Sequence, residues 1–388
     1  MITYYYPPDL SAGSFRAHAL IQSLFRLYGE NVHVDVMTTM PNRYGSHKSE
    51  KPEASETHGT VTIRRFDLPF SGSSQKSQAL HFARFAAACT RHLHGMTYDL
   101  VFATSSRLMT AVLGASIARR MKTKLYLDIR DIFVETMADL KGGPLARLPL
   151  AALDLVERWA FNRADGINVV SGGFLPYFHE RYPRRDLDVF TNGIDAIFSG
   201  RIQARAPRPG EELRIAYAGN LGDGQGLHKI VPDLAKALAG RAKLAIVGDG
   251  GRGNELRTLV EQVGAGNVTL SPPVPRDKIV ELYNRSDVLF LHLNDVPAFR
   301  RVIPSKLFEY AATGKPILAG VSGFSADFIR AEIKGAEVFE PCNVAEARKA
   351  FDRLPLGFIE RSTFVEKYDR QAIMDRMAHR MVAIATGS

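Results

Sequence analysis

"RRVIPSKLFEYAATGKPILAG" occupies residues 300–320. Two arginines and a proline lead into a helical stretch at 305–313, which Gly314 and Pro316 stop. An apolar strand at 317–319 follows directly. Leu307, Phe308, Ala311 and Ala312 make the apolar side of the helix, while Lys306, Glu309 and Thr313 share the other. A short helix running straight into an apolar strand is the unit of a parallel sheet covered by helices.

The same unit repeats outward in both directions. Toward the C-terminus, a helix is expected at 326–333, a strand at 336–339 and helices at 344–354 and 370–385. Toward the N-terminus, strands are expected at 213–217, 242–247, 268–270 and 288–291, alternating with helices at 227–238, 253–263 and 276–284. Residues 199–212, "SGRIQARAPRPGEE", break the alternation with Pro, Gly and Arg and little to bury, so they read as a linker. Before it the alternation runs again. Strands are expected at 2–5, 32–37, 61–66, 100–103, 124–127, 166–170 and 188–190, and helices at 14–28, 78–93, 107–121 and 148–163. The chain therefore reads as α/β, two doubly wound domains in tandem, and its 388 residues are too many for one ordinary core. Ligands of such sheets gather beyond the carboxyl ends of the strands.

Composition narrows the function. Hydrophobic residues make up 45% and charged residues 23%, an ordinary globular balance. No apolar run reaches the roughly 18 residues of a spanning helix. "MITYYYPP" has no basic and apolar leader, and the two cysteines, Cys89 and Cys342, form neither a disulfide framework nor a zinc site. A cytoplasmic protein is the expectation. Lys and Arg number 50 against 41 Asp and Glu, a net charge of +9 that favours anionic partners. No nucleic-acid recognition module accompanies that charge, and none of the histidines has metal-ligand spacing.

Three more stretches carry chemistry. In "YYYPPDLSAGSFRAHAL" (4–20), a strand ends at Tyr6, and Gly13 precedes a helix with Arg16 in its first turn. Arg16 opposes the helix dipole there and would gain from a nearby anion. In "YAGNLGDGQGLHKIV" (217–231), a strand runs into Gly219, Gly222, Gly224 and Gly226 before a helix, an anion cradle without the Lys-Ser/Thr of a P-loop. In "LYLDIRDIFVETM" (125–137), a strand delivers Asp128, Arg130, Asp131 and Glu135 at its carboxyl end. An acidic group placed there can orient a hydroxyl or take its proton.

Taken together, "YYYPPDLSAGSFRA", "YAGNLGDGQG" and "PSKLFEYAATGKPIL" resemble the family 4 retaining glycosyltransferases of the GT-B fold. The nearest pattern is that of bacterial enzymes building O-antigen, capsule and related polysaccharides. The resemblance implies two Rossmann-like domains facing across a cleft: an acceptor domain at 1–198, the linker, a nucleotide-sugar domain at 213–365, and a terminal segment at 366–388 packing back on the first. It implies that Glu309, on the polar side of its helix, points into the cleft and holds the donor ribose. Ser305, Lys306, Leu307, Gly219, Asn220 and Gly13 are further donor-binding residues, with Lys306 and the helix N-terminus meeting the phosphates. Gly248 in "VGDGG" (247–251) and Val274 in "PPVPRDKI" (272–279) fall at the base pocket. Asp128 and Asp131 are the expected catalytic acids beside Lys306, and Arg16, Arg130 and Glu135 the acceptor contacts.

The chain departs from the commoner family pattern twice. The first glutamate of E-x7-E is replaced by Arg301. The basic pair that grips the diphosphate is absent from the glycine loop, which offers Asn220, Gln225, His228 and Lys229. Arg301 and Lys306 are expected to supply that charge instead.

The implied activity is transfer from a nucleotide diphosphate sugar, UDP before GDP, to a glycan on a lipid carrier at the inner face of the cytoplasmic membrane. It needs no cofactor or metal and proceeds by front-face displacement. The alternatives are a nucleotide-sugar 2-epimerase of the same fold and a non-catalytic sugar-nucleotide-binding subunit. An anionic membrane surface fits the net charge, with Arg84, Arg91, Arg119, Arg120, Arg181, Arg184 and Arg185 as the basic residues to meet it.

Overall fold

Strands and helices alternate through both halves of the computed structural model, which describes residues 1–41, 52–68, 75–105, 107–141, 147–200 and 210–387. The chain divides into two compact units, Met1–Asn192 together with Gln371–Ser388, and Gly193–Arg370.

In the first unit the strands are β1 (Val34–Thr39), β2 (Ser55–His58), β3 (Val61–Phe66), β4 (Leu100–Ser105), β5 (Lys124–Ile129), β6 (Gly166–Val169) and β7 (Leu187–Val189). They pair in the orders β1-β3-β2 and β4-β5-β6-β7. Ile2 joins the two ladders, bridging Met37 of β1 and Ala103 of β4. The expected strand at 2–5 is thus reduced to a single bridge. Tyr4 and Tyr6 are still buried there, and Pro7 and Pro8 offer no N–H to extend a ladder. The antiparallel strand β2, "SETH", does not stand out in the sequence, because an exposed edge strand needs no apolar face.

In the second unit β8 (Leu213–Asn220), β9 (Ala242–Asp249), β10 (Val268–Ser271), β11 (Val288–His292), β12 (Ile317–Gly320) and β13 (Ala336–Phe339) form one parallel sheet in the order β10-β9-β8-β11-β12-β13. Every residue of β11 and β12 is buried, as a strand covered on both faces requires. The strand order reverses between β8 and β11, and in the first unit between Ile2 and β4. These are the switch points where doubly wound sheets open a crevice beyond their strand ends.

Most of residues 199–212 lies outside the described residues. The second unit begins at Gly193, and its entry and exit strands pair: Ile194 bridges Asp369, and Asp195 accepts from both Arg276 and Arg370. The helix Arg370–Thr386 then packs on the first unit. Asp375 pairs with Arg26, Arg380 with Asp188, and Ile384 lies against Gly166.

Candidate active site

In the second unit the helix Ser305–Ala312 connects β11 to β12 and starts at the carboxyl edge of the sheet. Leu307, Phe308, Tyr310 and Ala311 are buried, which anchors one side. Arg361 fixes the far end, donating to the Ala311 and Lys315 carbonyls. Thr313, expected on the polar side, is instead buried; its hydroxyl donates to the Tyr310 carbonyl and accepts from the Lys315 N–H. That leaves Lys306 and Glu309 on the open side, both half-buried.

Lys306 lies with its Nζ 5.8 Å from the centre of the Tyr217 ring. Its stem crosses Gly219 so closely that a Cβ on that glycine would sit 2.0 Å from Lys306 Cε. Among the described residues no hydrogen bond or ion pair reaches its ammonium. Burial pulls its pKa below the usual lysine value, and the Glu309 charge opposes that only in part. A cation desolvated without a partner gains from an incoming anion. Glu309 also accepts no hydrogen bond among the described residues, so its oxygens remain available to hydroxyl donors.

The loops after β8 and β9 complete this edge. Gly248 (φ +156°) has no room for a Cβ, which would fall 1.8 Å from the Gly219 carbonyl oxygen. The Leu221 N–H donates to the Asp249 carbonyl at 2.9 Å. Asn220 and Gln225, two of the polar residues that the glycine loop offers, hydrogen-bond to each other at 2.7 Å as a neutral amide pair. Ser305 opens the helix, and Pro304 before it supplies no capping side chain. Val274 is half-buried against the apolar core. Arg301 ends the 3-10 turn Pro297–Arg301 and is half-buried. Leu307, expected to contact a donor, belongs to the core. It is fully buried, and its N–H bonds to the Pro304 carbonyl.

In the first unit the corresponding charges are arranged differently. Arg16 and Asp128 are 2% and 1% exposed and pair through two parallel bonds of 3.0 Å, Nε to Oδ2 and Nη2 to Oδ1. Arg16 also donates to the carbonyls of Thr191 and Phe190. Asp128 further accepts from Thr104 and Asn168. Burial alone would raise the Asp128 pKa, but the Arg16 guanidinium holds it below the usual range. The anion that Arg16 calls for is therefore Asp128, and neither is presented to a ligand. Arg130 reaches back over the helix Ala12–Tyr28, where a Cβ on Gly13 would lie 1.9 Å from its Nη1. Asp131 is exposed and Glu135 half-buried, in the first turn of the helix Phe133–Lys141.

Two residues that the sequence reading passed over belong to the second-unit edge. His292 ends β11, and Asn294 follows it; they are 1% and 5% exposed and hold the glycine loop. Their signal in the sequence is a polar pair, His and Asn, interrupting the apolar run "VLFLHLN".

Known families cover nearly all of this chain. Residues 17–193 match the glycosyl transferase 4-like domain, and residues 199–367 match the glycosyl transferases group 1. The chain belongs to the family 4 glycosyltransferases. A protein of Escherichia coli (strain K12) named for colanic acid biosynthesis, the glycosyl transferase WcaI, is 26% identical over 237 residues, 57% of this chain and 54% of the relative. The match thus spans about half the length of that relative. The D-inositol 3-phosphate glycosyltransferase of Mycobacteroides abscessus is 27% identical over 345 residues, 82% of this chain and 71% of that one. Anabaena Alr3699/HepE, solved in complex with UDP-glucose, superposes with a TM-score of 0.60 at 15% identity, covering 100% of this chain and 96% of the other. That likeness fixes the GT-B fold. Within this glycosyltransferase, the two departures from the family pattern thus fall in the glycine loop after β8 and on the arginine that closes the turn before the helix Ser305–Ala312.

Proposed function

We propose that this glycosyltransferase moves a sugar from a nucleoside diphosphate sugar, UDP-linked before GDP-linked, to a lipid-carried glycan, with retention at the anomeric carbon. The observation that carries the reading is Lys306, a half-buried ammonium over the Tyr217 ring with no hydrogen bond or ion pair among the described residues, one helical turn from the open carboxylate of Glu309. The two sit 3 residues apart on one helix face, the spacing that presents both to one ligand. Lys306, Arg301 and the first turn of the helix Ser305–Ala312 meet the diphosphate. Glu309 accepts from the ribose hydroxyls.

As the sugar–phosphate bond breaks, charge grows on the diphosphate, and Lys306 stabilises it where it develops. The departing phosphate oxygen takes the proton of the incoming hydroxyl on the same face of the sugar. Asp131, Glu135 and Arg130 orient the acceptor. Asp128, held by Arg16, keeps the strand end in place beneath them and does not carry the proton. In this reading the cations of the chain do the work a metal would do, so activity persists in EDTA. The colanic acid relative and the UDP-glucose complex of a like fold support the donor and the polysaccharide context.

Among the described residues no helix is long and apolar enough to cross a membrane. We place the contact with a lipid-borne acceptor on exposed cations of the first unit. The helix Gln75–His92 has no acidic residue and exposes Arg84 and Arg91; Arg119, Arg120 and Arg184 are exposed as well. Arg181 is paired with Asp154, and Arg185 donates to the Ala164 carbonyl, so these two are withdrawn.

A thermal-shift panel of UDP-, GDP- and other nucleotide sugars tests the donor, because a bound ligand raises the melting temperature by mass action. A shift with one nucleotide family and transfer to a lipid-linked glycan are expected. Conversion of the donor sugar without acceptor would point to epimerisation instead.

A further inference from the structure

Three successive carbonyls of the glycine loop turn toward the end of β11. The Asp223 carbonyl accepts from Asn294 Nδ2 at 2.9 Å, the Gly224 carbonyl from the Asn294 N–H at 2.9 Å, and the Gln225 carbonyl from His292 Nδ1 at 2.7 Å. A trans peptide points its N–H opposite to its carbonyl. The N–H groups of Gly224, Gln225 and Gly226 therefore face away from β11. Those of Gln225 and Gly226 close onto the Gly222 carbonyl at 3.2 and 3.3 Å. The Gly224 N–H has no acceptor among the described residues, and the Phe299 ring lies 3.2 Å from where a Cβ on that half-buried glycine would sit.

The clamp is itself fixed. The Cys342 N–H donates to His292 Nε2 at 2.9 Å. An N–H can only donate and a carbonyl can only accept, so His292 is neutral with its proton on Nδ1. Burial draws its pKa down to about 4, which agrees. Asn294 Oδ1 accepts from Lys229 Nζ at 2.9 Å, which sets the amide so that Nδ2 faces Asp223. Gly226 (φ +61°) and Gly320 leave room for the two side chains: a Cβ would lie 3.0 Å from Asn294 Cβ and 2.3 Å from His292 Cδ2.

We propose that His292 and Asn294 are positioning residues that hold the Gly224 N–H as a donor to the diphosphate of the nucleotide. The inference rests on the nucleotide-sugar reading and deepens it. It gives the glycine loop, which lacks the basic pair of the family, a neutral means of gripping a phosphate oxygen.

The test uses the wild-type protein with UDP and GDP, each beside its nucleoside. By amide hydrogen exchange, the preferred diphosphate should slow the Gly224 amide about tenfold or more, and the nucleoside should leave it unchanged. In Asn294→Asp, which cannot donate to the Asp223 carbonyl, and in His292→Phe, which keeps the ring but not its bonds, diphosphate affinity should fall about tenfold with nucleoside affinity kept. His292→Asn, which restores a donor to the Gln225 carbonyl, should recover most of it, and KM should move more than kcat. If no nucleotide binds the wild type, the donor reading has failed. If a nucleotide binds while the Gly224 amide is indifferent to its phosphates, the clamp is overturned. The same holds if the variants lose nucleoside and diphosphate affinity alike.

Discussion

Each unit carries a cation and a carboxylate at the edge where its strands end, and the two pairs have opposite fates. In the first unit Arg16 and Asp128 are buried, bidentate and satisfied on every side. In the second, Lys306 and Glu309 are half-buried on one helix face, and neither has a hydrogen bond or ion pair among the described residues. A satisfied buried pair holds the fold and has nothing left to offer a ligand. A partly desolvated, unpaired charge is destabilising in isolation, and the free energy it lacks is returned when an anion or a diol arrives. A cation and a carboxylate thus mark structure in the first unit and, in the proposed reading, a donor site in the second.

The largest effect should come from breaking the satisfied pair. Asp128→Ala leaves the Arg16 guanidinium buried and uncompensated, which should destabilise the first unit by about 3–5 kcal/mol. Chemical denaturation measures it. A variant as stable as the parent but slow in transfer would return Asp128 to the chemistry. The unsatisfied pair should respond the other way. Glu309→Ala should keep the melting temperature and weaken donor binding by about 1.5–3 kcal/mol, the range for lost bonds to a charged group. Lys306→Ala should weaken UDP or GDP more than the free nucleoside, by calorimetry. Equal losses for nucleotide and nucleoside would remove Lys306 from the diphosphate.

The smallest effect concerns the neutral clamp. The folded-state pKa of His292 lies at about 4, below the unfolded reference of 6.5. Between those values the unfolded chain holds the extra proton, so stability is full above pH 6.5 and falls as the pH drops toward 4. The loss should reach about 1.4 kcal/mol at pH 5.5, one unit below the reference. Lys229 and His228, the charged and titratable neighbours, oppose a second positive charge there. Urea midpoints from pH 7 to 5 should decline less steeply in His292→Asn than in the wild type. Parallel curves would mean that the ring is not kept neutral by the fold.

The proposed acceptor contacts sharpen the comparison once more. Asp131 is exposed three residues after Asp128, just past the end of β5. Asp131→Asn should slow transfer while leaving donor affinity and stability near those of the parent. A parental rate would leave the acceptor to Glu135 and Arg130. Co-sedimentation with anionic and neutral vesicles, at low and high salt, checks the exposed arginines; salt-sensitive binding to the anionic vesicles alone is the expected outcome.

The sequence by itself determined the repeated strand-and-helix alternation, because apolar periodicity and the glycine and proline stops are local properties. It also determined the helix that carries Lys306 and Glu309, since the spacing of Leu307, Phe308 and Ala311 leaves those two on the other side. What it could not determine was satisfaction. Arg16 and Asp128 lie 112 residues apart, and no local pattern shows that one neutralises the other. Thr313 reads as surface by helical spacing, yet it closes the helix from within because the chain turns at Gly314. His292 and Asn294 read as polar interruptions of a buried strand, and only pairing with the loop after β8 gives them partners. Periodicity reports which face a residue occupies. Whether a charge on that face is spoken for depends on residues from distant strands, and only the tertiary structure brings those together.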